Sequence, residues 1–537
     1  MSVLSQVTGK LATARTLVGS GVFRPARPDR LARTGLALLR WGATPAAGYT
    51  SSAARYPNAA AIIDERGTLT FAELHRRTNA LANALGEQGV SEGDNVAVLC
   101  RNHRGFIETT VALSKLGASA LYLNTSFAGP QITDVCEREN PSAIVFDEEF
   151  AGLVAQAARD RLRFVAWCDD PSAHDDPTLD ELIAAGDESD LVPPGEPGRV
   201  VILTSGTTGS PKGAARSQPR SLDPAAALLE VIPLRAREST MIAAPLFHSW
   251  GFAHFTLGLA LSSTLVLRRR FDPEDTLSAT AEHGCSALIV VPVMLQRILE
   301  LPPEAIRRHD LDALRVIAAS GSALPGELAV RVMDTFGDVL YNLYGSTEVA
   351  WATIATPQDL RAAPGTAGRP PRGTVLRLFD ADGNEVPRGQ TGRIFVGNEQ
   401  QFEGYTGGGG KQVLHGLMSS GDVGHLDADG RLFVDGRDDD MIVSGGENVF
   451  PREIEDLLHE HPHIDDVAVI GVPDEQFGQR LAAFVVARPG SGLGEGDVKR
   501  HVHENLARFK VPRDVVFLDE LPRNATGKVL KRHLRER

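Results

Sequence analysis

One segment rich in glycine and hydroxyl side chains, residues 204–213, constrains this chain more than any other. It reads Thr-Ser-Gly-Thr-Thr-Gly-Ser-Pro-Lys-Gly and follows the apolar residues 200–203. A short β-branched apolar run that ends at glycines predicts a buried strand followed by a loop. Glycines let backbone N–H groups approach an anion, hydroxyls donate further hydrogen bonds, and Lys212 adds a positive charge. The segment therefore predicts a phosphate-binding loop.

The same segment differs from a Walker A loop. That pattern has a glycine directly before the lysine, and Pro211 occupies the place here. A flexible surface turn is the alternative, because turns also use glycine, serine and proline. The preceding apolar run and Lys212 favour the phosphate loop.

Length and charge narrow the class of protein. A chain of 537 residues is long for a single core, so we expect two or more domains. A net charge of −14 argues against a general nucleic-acid binder, and no nucleic-acid partner is expected. The cysteines form no CxxC pair, which fits a reducing cytoplasm better than a zinc site or a disulfide framework. They are Cys100, Cys136, Cys168 and Cys285.

The first 48 residues are basic, unlike the rest of the chain. They hold seven Lys and Arg against Asp29 alone, a net charge of +6, so the remainder carries −20. No apolar core typical of a signal peptide follows, and secretion is not expected. Two interpretations stay open: an interfacial helix that makes peripheral contact with anionic lipid, and a solvated arm that packs on the acidic body.

Hydrophobic patterns predict alternating helices and strands. Residues 66–91 show a helical pattern in which Thr70 can cap and Glu73 lies three residues later. A strand at 95–100 and a helix at 104–116 follow. Such alternation predicts parallel sheets covered by helices.

Three further stretches carry their own predictions. Residues 169–198, rich in Asp, Pro and Gly, are expected to cross the surface. Residues 239–267 contain no Lys, Arg, Asp or Glu, but their proline, histidines and glycines favour a buried helix and a strand at 264–267 over a membrane span. The four glycines 407–410 predict a mobile surface loop. From residue 436 a smaller unit begins, with a helix near 452–460 and strands at 466–472 and 481–487.

A second informative motif, Tyr-Asn-Leu-Tyr-Gly-Ser-Thr-Glu, occupies residues 341–348. Alone it would indicate only a strand end and a polar turn. With 204–213 and five other segments it resembles, in the expected order, the motifs of the adenylate-forming superfamily, which contains acyl-CoA synthetases, peptide-synthetase adenylation domains and luciferases. The resemblance covers all but about the first fifty residues. The other segments are Ser-Gly-Ser-Ala at 320–323, Ser-Gly-Asp at 420–422, Gly-Arg-Asp-Asp-Asp-Met-Ile at 436–442, Ser-Gly-Gly-Glu-Asn-Val at 444–449 and Pro-Arg-Asn-Ala-Thr-Gly-Lys at 522–528.

The resemblance implies an α/β fold, with a large N-terminal domain of helix-covered sheets and a small mobile α+β C-terminal domain. We expect a basic extension at 1–48, the AMP-binding domain at 49–436 and the C-terminal domain at 437–537, with the hinge at Asp439. A homodimer is one assembly left open.

The resemblance also assigns an adenylate site. Tyr344 would stack on adenine, Thr347 would contact the α-phosphate and Glu348 would hold Mg²⁺, and each side chain suits that chemistry. Asp422 would accept hydrogen bonds from the ribose hydroxyls and Arg437 would reach the ribose, although Ser420 stands where the family usually has Thr. The residues expected to bind ATP or AMP are Thr204, Ser205, Gly206, Thr207, Thr208, Gly209, Lys212, Gly321, Ser322, Ala323, Asn342, Tyr344, Gly345, Thr347, Asp422 and Arg437.

Two half-reactions need two arrangements of the domains. Joining a carboxylate to the α-phosphate gathers negative charge, which Lys528, Lys212 and Mg²⁺ on Glu348 would neutralise. Lys528, with Thr347 and Glu348, is therefore assigned to catalysis. The resemblance then implies a rotation about Asp439 that withdraws Lys528 and brings in the segment against which the pantetheine arm of CoA passes. That segment comprises Ser444, Gly445, Gly446 and Glu447.

The acid is predicted from two substitutions in the acyl pocket, to which we assign His248, Trp250, Gly251 and Gly345. His248 replaces the Asp with which amino-acid-activating relatives pair the substrate amine, so an α-amino acid is not expected. Gly345 stands where acetate-specific relatives have a tryptophan, which should open a deeper tunnel. A medium- or long-chain fatty acid, joined to CoA at the expense of ATP, is the leading prediction, and an aryl acid is second. A ligase that delivers to a carrier protein and a catalytically silent nucleotide- or lipid-binding relative are the alternatives.

Overall fold

The computed structural model describes residues 3–23, 27–158, 160–170, 175–204, 212–216, 221–406, 408–438, 440, 442–444, 447–474, 478–506, 508–524 and 527–536. The predicted phosphate-loop residues Ser205, Gly206, Thr207, Thr208 and Gly209 lie outside these ranges, as do Asp439, Gly445 and Gly446.

Helices occur along the whole described chain. They are α1 Val3–Gly19, α2 Pro28–Trp41, α3 Pro45–Arg55, α4 Phe71–Glu87, α5 Arg104–Leu116, α6 Gly129–Glu139, α7 Ala151–Ala157, α8 Leu179–Ala185, α9 Asp223–Val231, α10 Ser249–Leu261, α11 Pro273–Glu282, α12 Pro292–Leu299, α13 Pro303–Arg307, α14 Gly326–Phe336, α15 Pro357–Ala362, α16 Pro451–His459, α17 Glu495–Asn505 and α18 Lys531–Arg535. Short 3₁₀ turns occupy Glu148–Phe150 and Arg508–Lys510.

The strands form four sheets. They are β1 Ala60–Asp64, β2 Gly67–Thr70, β3 Asn95–Leu99, β4 Ser119–Tyr122, β5 Ala143–Asp147, β6 Leu162–Trp167, β7 Val200–Thr204, β8 Lys212–Arg216, β9 Ser239–Ile242, β10 Thr264–Leu267, β11 Ala287–Val290, β12 Val316–Ala319, β13 Leu340–Ser346, β14 Ala350–Ala355, β15 Val375–Phe379, β16 Gly392–Gly397, β17 Gly404–Tyr405, β18 Val413–Leu414, β19 Leu417–Leu426, β20 Leu432–Arg437, β21 Ile442–Ser444, β22 Glu447–Val449, β23 Ile464–Asp474, β24 Gly478–Ala487 and β25 Asp514–Phe517.

Two large sheets, parallel at their centres, dominate the N-terminal part. One has the order β14-β13-β12-β11-β9-β10-β1-β2, and the other the order β17-β8-β7-β4-β3-β5-β6. Antiparallel pairs occur at the ends, where β14 joins β13, β2 joins β1, and β8 lies between β7 and β17. Helices cover the buried strands, as parallel sheets require. The predicted α/β fold is confirmed.

Local sequence signals produce several of these elements as predicted. Thr70 caps α4 by accepting a hydrogen bond from the Glu73 N–H, while the Glu73 carboxylate accepts one from the Thr70 N–H at 2.8 Å. Helix α5 matches the predicted 104–116, and the charge-free stretch folds into α10 and β10. Every helix that the structure describes is too short or too polar to cross a bilayer.

The stretch 169–198 is more ordered than its composition suggests. It contains α8, which Thr178 and Glu181 begin with a second capping box. Leu179 and Leu182 are buried, and the helix packs against α4. Two buried leucines and a good cap outweigh the surrounding Asp, Pro and Gly, so the prediction of a simple surface crossing was incomplete.

A buried polar cluster holds the start of α5. Asp147 Oδ1 lies 2.7 Å from His103 Nε2, and its Oδ2 accepts the Arg101 N–H at 2.9 Å. His103 Nδ1 accepts the Gly105 N–H at 3.0 Å. Cys100 lies beside this cluster. The hydrogen bonds already occupy both ring nitrogens and both carboxylate oxygens, so the cluster is a structural cap of the helix.

Two smaller sheets follow along the chain. One has the order β15-β16-β19-β18, with β20 on β19, and the other the order β22-β21-β24-β23, with β25 on β24. Helices α16 and α17 pack on the latter around the separate core of Ile454, Val469 and Val502. The four cysteines of the chain are buried and free of disulfides.

Candidate active site

The predicted adenine side of the site lies where two neighbouring parallel strands end. Ala319 of β12 is in register with Asn342 of β13. The Ser320 hydroxyl donates to the Leu343 carbonyl at 2.7 Å, and this bond holds the turn formed by Gly321, Ser322 and Ala323 against β13. The carboxyl ends of parallel strands are where such folds bind ligands.

One buried polar atom at this edge lacks a partner within the protein. Among the described residues, Asn342 Oδ1 is buried without a hydrogen bond. Buried polar groups are almost always satisfied, and an amide oxygen needs a donor. The exocyclic amino group of adenine is a donor of this kind, so the atom fits the nucleotide predicted to lie here.

The ribose pair arises from strand register. Asp422 of β19 faces Arg437 of β20 across an antiparallel pair, with Oδ1 and the guanidinium 3.6 Å apart. The Tyr344 hydroxyl donates to Asp422 Oδ2 at 2.5 Å, and its oxygen lies 3.2 Å from Ser420 Oγ. The residues assigned to adenine and to ribose are therefore linked directly.

Burial shifts the pKa of the acidic groups in and beside this pair. Desolvation raises the pKa of Asp422 above its usual value, while Arg437, the Tyr344 hydroxyl, Lys528 and Lys411 act in the opposite direction. Desolvation and the adjacent Asp422 carboxylate also raise the pKa of Tyr344 well above its usual value. The phenol therefore stays protonated as a donor. Lys411 was missed at the sequence level.

Thr347 and Glu348 lie in the turn between β13 and β14. The Ser346 hydroxyl accepts hydrogen bonds from the N–H groups of Glu348 and Val349 at 3.2 and 3.3 Å. Ala350 takes the left-handed conformation, with φ 63°, which is uncommon for a residue with a side chain. Thr347 Oγ1 lies 3.1 Å from Ser249 Oγ at the start of α10. The turn thus places the predicted phosphate and metal residues beside the predicted acyl pocket.

A tyrosine that sequence reasoning missed joins Glu348 to Lys212. The Tyr405 hydroxyl donates to Glu348 Oε1 at 2.7 Å. Lys212 Nζ lies 5.4 Å from the centroid of the Tyr405 ring, within cation–π distance. Strand β17 carries Tyr405 to this position by pairing with β8, which begins at Lys212. Desolvation, followed by the Glu348 hydrogen bond, raises the pKa of Tyr405.

In the predicted catalytic-lysine loop, the structure describes residues 522–524 and 527–528, and hydrogen bonds hold them. Asn524 Oδ1 accepts the Lys528 N–H at 2.9 Å, and Arg523 donates to the Gly527 carbonyl and to Asp466. Gly527 lies against Val293 of the large domain, so closely that a Cβ at Gly527 would be 2.4 Å from Val293 Cγ1. The structure thus brings the exposed Lys528 within electrostatic range of Asp422.

The predicted acyl-pocket residues surround the start of α10. His248 occupies the N-cap position in an extended conformation, without a capping hydrogen bond to its side chain. The Trp250 indole donates to the Val290 carbonyl at 3.0 Å. Burial lowers the pKa of both His248 and His254 to about 4. A Cβ at Gly251 would lie 2.3 Å from the Pro245 carbonyl oxygen.

The neighbouring backbone of β14 requires a glycine at position 345. A Cβ there would lie 2.0 Å from the Ala350 carbonyl oxygen, where the register between β13 and β14 shifts. Gly345 by itself is therefore not evidence for the predicted deeper tunnel. Of the CoA segment, Ser444 ends β21 and Glu447 begins β22. The roles assigned to all these residues stay predictions.

Comparison with known proteins agrees with this arrangement. A family model described as AMP-binding enzyme matches residues 49–406, and one described as AMP-binding enzyme C-terminal domain matches residues 453–528. A feruloyl-CoA synthase from Amycolatopsis sp is 35% identical over 487 residues, which cover 90% of this chain and 96% of the relative. An indoleacetate–CoA ligase from Aromatoleum aromaticum is 34% identical over 493 residues, which cover 89% and 95%.

A solved structure shares the fold over nearly its whole length. The o-succinylbenzoate CoA synthetase from Bacillus subtilis, in complex with its acyl-adenylate intermediate, has a TM-score of 0.78 at 26% identity and covers 91% of this chain and 97% of that chain. CoA ligases of this family use ATP, Mg²⁺ and CoA. The chain belongs to the AMP-binding enzyme family and is an AMP-forming acid–CoA ligase that acts through an acyl-adenylate.

Proposed function

We propose that this ligase activates an aryl or arylalkyl carboxylic acid that carries no α-amino group. The observation that supports it best is the neutral, buried aromatic cluster at the start of α10. The rings of Phe247 and His248 lie 4.6 Å apart and those of Trp250 and His254 lie 4.2 Å apart. Flat rings in offset or edge-on contact favour a flat substrate, and a histidine with a pKa of about 4 cannot pair with an ammonium group as a carboxylate does.

Unsatisfied nitrogens add to this argument. Within the described chain, His248 Nε2 and His254 Nε2 are buried without hydrogen-bond partners. A buried ring nitrogen without a partner is costly, and a polar substituent on the acid could satisfy it. The feruloyl and indoleacetate relatives act on acids of this class, each a ring with a polar group.

In the adenylation step, the residues of this chain would hold the reactants and neutralise charge. Glu348, with the hard oxygen ligands that Mg²⁺ prefers, would hold the ion, which when bound would supply positive charge to the phosphates. Asp422 and Arg437 would hold the ribose, and Lys528 would approach the carboxylate and the α-phosphate from the C-terminal domain.

A medium- or long-chain fatty acid is the second candidate. It is favoured by the absence of a side chain at Gly345, although the backbone of β14 also requires that glycine. Delivery to a carrier protein in place of CoA belongs to the same test, because both acceptors would meet the same acyl-adenylate.

The deciding experiment measures kcat/KM with ATP and CoA over aryl acids, fatty acids of increasing chain length and α-amino acids. We expect the highest values for aryl or arylalkyl acids and none above background for amino acids. Fatty acids that exceed every aryl acid, or acyl transfer to carrier protein with none to CoA, would overturn the proposal. ATP–pyrophosphate exchange, measured in parallel with each acid, separates a failure of adenylation from a failure of acyl transfer to CoA.

A further inference from the structure

We propose that the N-terminal segment docks this enzyme on anionic lipid bilayers, with α2 as the contact surface. The inference concerns a surface that holds none of the residues assigned to the adenylate site, and it is independent of the acid activated. It rests on how α1 and α2 pack, on which of their side chains stay exposed, and on their charge.

The segment packs on the large domain through a narrow set of apolar contacts. Ala37 and Trp41 of α2 are buried against α3, and Leu17 of α1 is buried in the main core. The Ser20 carbonyl accepts the Ala236 N–H at 2.8 Å, and Arg30 donates to the Arg55 carbonyl at 2.9 Å. Helix α2 therefore has a fixed orientation on the body.

This packing uses only one side of α2. Arg30, Thr34, Ala37 and Trp41, spaced by three or four residues, form the buried or half-buried side. Most of the remaining helix surface is exposed, and four leucines lie on it among charged side chains. They are Leu31, Leu36, Leu38 and Leu39.

The concentration of exposed apolar groups is unusual for this chain. Seven of the fourteen large apolar side chains that the structure shows as exposed fall within residues 11–39. Scattered exposed leucines are ordinary, but several on one helix face indicate an interaction surface.

The charge of the exposed side chains beside these leucines indicates an anionic partner. Arg33 and Arg40 lie three and four residues from Leu36 and are exposed, so cations border the leucine surface. In the part of the chain that the structure describes, no ion pair joins a cation of residues 1–48 to an acid of the body; Arg27 pairs with Asp29 inside the segment. The described part of the segment is therefore packed on the body through apolar contacts and hydrogen bonds, and not through ion pairs with it.

An anionic bilayer satisfies both features together. Leucines can enter the boundary between headgroups and acyl chains, and arginines beside them can pair with anionic headgroups. The rest of the chain carries a net charge of −20 and would be repelled from such a surface. Docking through the +6 segment therefore also sets the orientation of the enzyme.

The test is flotation of the full-length protein with vesicles of phosphatidylcholine, with or without phosphatidylglycerol. We expect binding only to the anionic vesicles, weakening as salt is raised. Leu36→Ser with Leu39→Ser, and separately Arg33→Gln with Arg40→Gln, should each weaken partitioning at least about tenfold. CoA ligase turnover in solution should be unchanged, because these side chains are exposed and none of them is assigned to the adenylate site.

Matched controls exist elsewhere on the surface. Leu36 and Leu39 are 55% and 86% exposed, and Val413 and Val192, at 59% and 84%, are comparable. Val192→Ser with Val413→Ser should bind like the parent protein. Absence of binding to anionic vesicles, or equal loss in the control, would overturn the proposal. So would a mass by light scattering that is twice the monomer and is halved by the leucine changes, because the surface would then contact a second copy.

Discussion

At the scale of single residues, Tyr405 connects parts of the site that the sequence keeps far apart. Its hydroxyl donates to Glu348, and its ring lies beneath the ammonium of Lys212. Sequence reasoning found Glu348 and Lys212 through their motifs. It missed Tyr405, 57 residues after Glu348, because no local pattern shows that β17 pairs with β8.

We therefore expect Tyr405→Phe to impair adenylation without unfolding the protein. A hydrogen bond to a charged group is worth about 1.5–3 kcal/mol, so its loss should lower the rate of acyl-AMP formation about tenfold or more. If the hydroxyl positions Glu348, the variant should also need more Mg²⁺ for half-maximal rate. Tyr341→Phe, on the same β13 strand as Tyr344, is the matched control. An unchanged Mg²⁺ dependence in Tyr405→Phe would contradict the positioning role.

The pair formed by Asp422 and Arg437 shows what motif reasoning does and does not provide. The resemblance assigned both residues to the ribose, and the register of β19 and β20 brings them opposite each other. The bond from Tyr344 to Asp422 was not foreseen, because it depends on how two separate sheets meet.

A buried histidine makes stability depend on pH. Burial lowers the pKa of His254 to about 4, below the value of about 6.5 for an unfolded chain. The unfolded state therefore binds more protons between these values, and stability falls as pH drops from about 6.5 towards 4. Between pH 7 and pH 5, this histidine should lower the free energy of unfolding by about 2 kcal/mol.

His254→Asn should reduce that dependence by about 2 kcal/mol, and the dependence due to His248, which has the same lowered pKa, should remain. The Asn side chain keeps a donor for the Trp250 carbonyl, which His254 Nδ1 approaches at 3.2 Å. Denaturant midpoints at pH 7 and pH 5 measure it. His503→Asn, an exposed position on α17, is the control and should keep the slope of the parent protein. Equal slopes in all three proteins would refute this account of His254.

At the scale of elements, local sequence signals predict the helices and strands that are stabilised by residues close to them in the sequence. Helix α4 begins at its capping box, and α10 with β10 replaces the membrane span that a simple count would allow. Helix α8 escaped prediction because its two buried leucines are stabilised by α4, about a hundred residues earlier.

The turn that carries Lys528 is held by residues other than Lys528. Asn524, Arg523 and Asp466 hold it, so removal of the Lys528 side chain should leave its shape intact. We expect Lys528→Ala to lower acyl-AMP formation by about 10²–10³ while conversion of preformed acyl-AMP and CoA stays largely intact. Arg532→Ala, on the neighbouring α18, should affect neither step. Equal loss of both half-reactions would rule out exchange of Lys528 between them.

At the scale of the whole molecule, length and composition predicted more than one domain, and the motifs predicted the order of the parts. How the C-terminal part sits on the N-terminal part depends on contacts that no sequence pattern reveals. Gly527 against Val293 is one such contact. It belongs to the arrangement in which Lys528 lies within electrostatic range of Asp422.

This contact allows a test of the domain rotation. Gly527→Ala adds a Cβ that would lie 2.4 Å from Val293 Cγ1, and φ 77° at Gly527 disfavours any side chain. The steric overlap exists only in the arrangement seen here, whereas the backbone strain stays with the turn in both. Acyl-AMP formation should therefore fall at least about tenfold, and conversion of preformed acyl-AMP should fall less. Val293→Ala in the same chain should restore part of the adenylation rate by removing the overlapping methyl groups. Two results would contradict this account: no restored adenylation in the double variant, or an equal fall in both half-reactions. Either would show that the contact does not select between two domain arrangements.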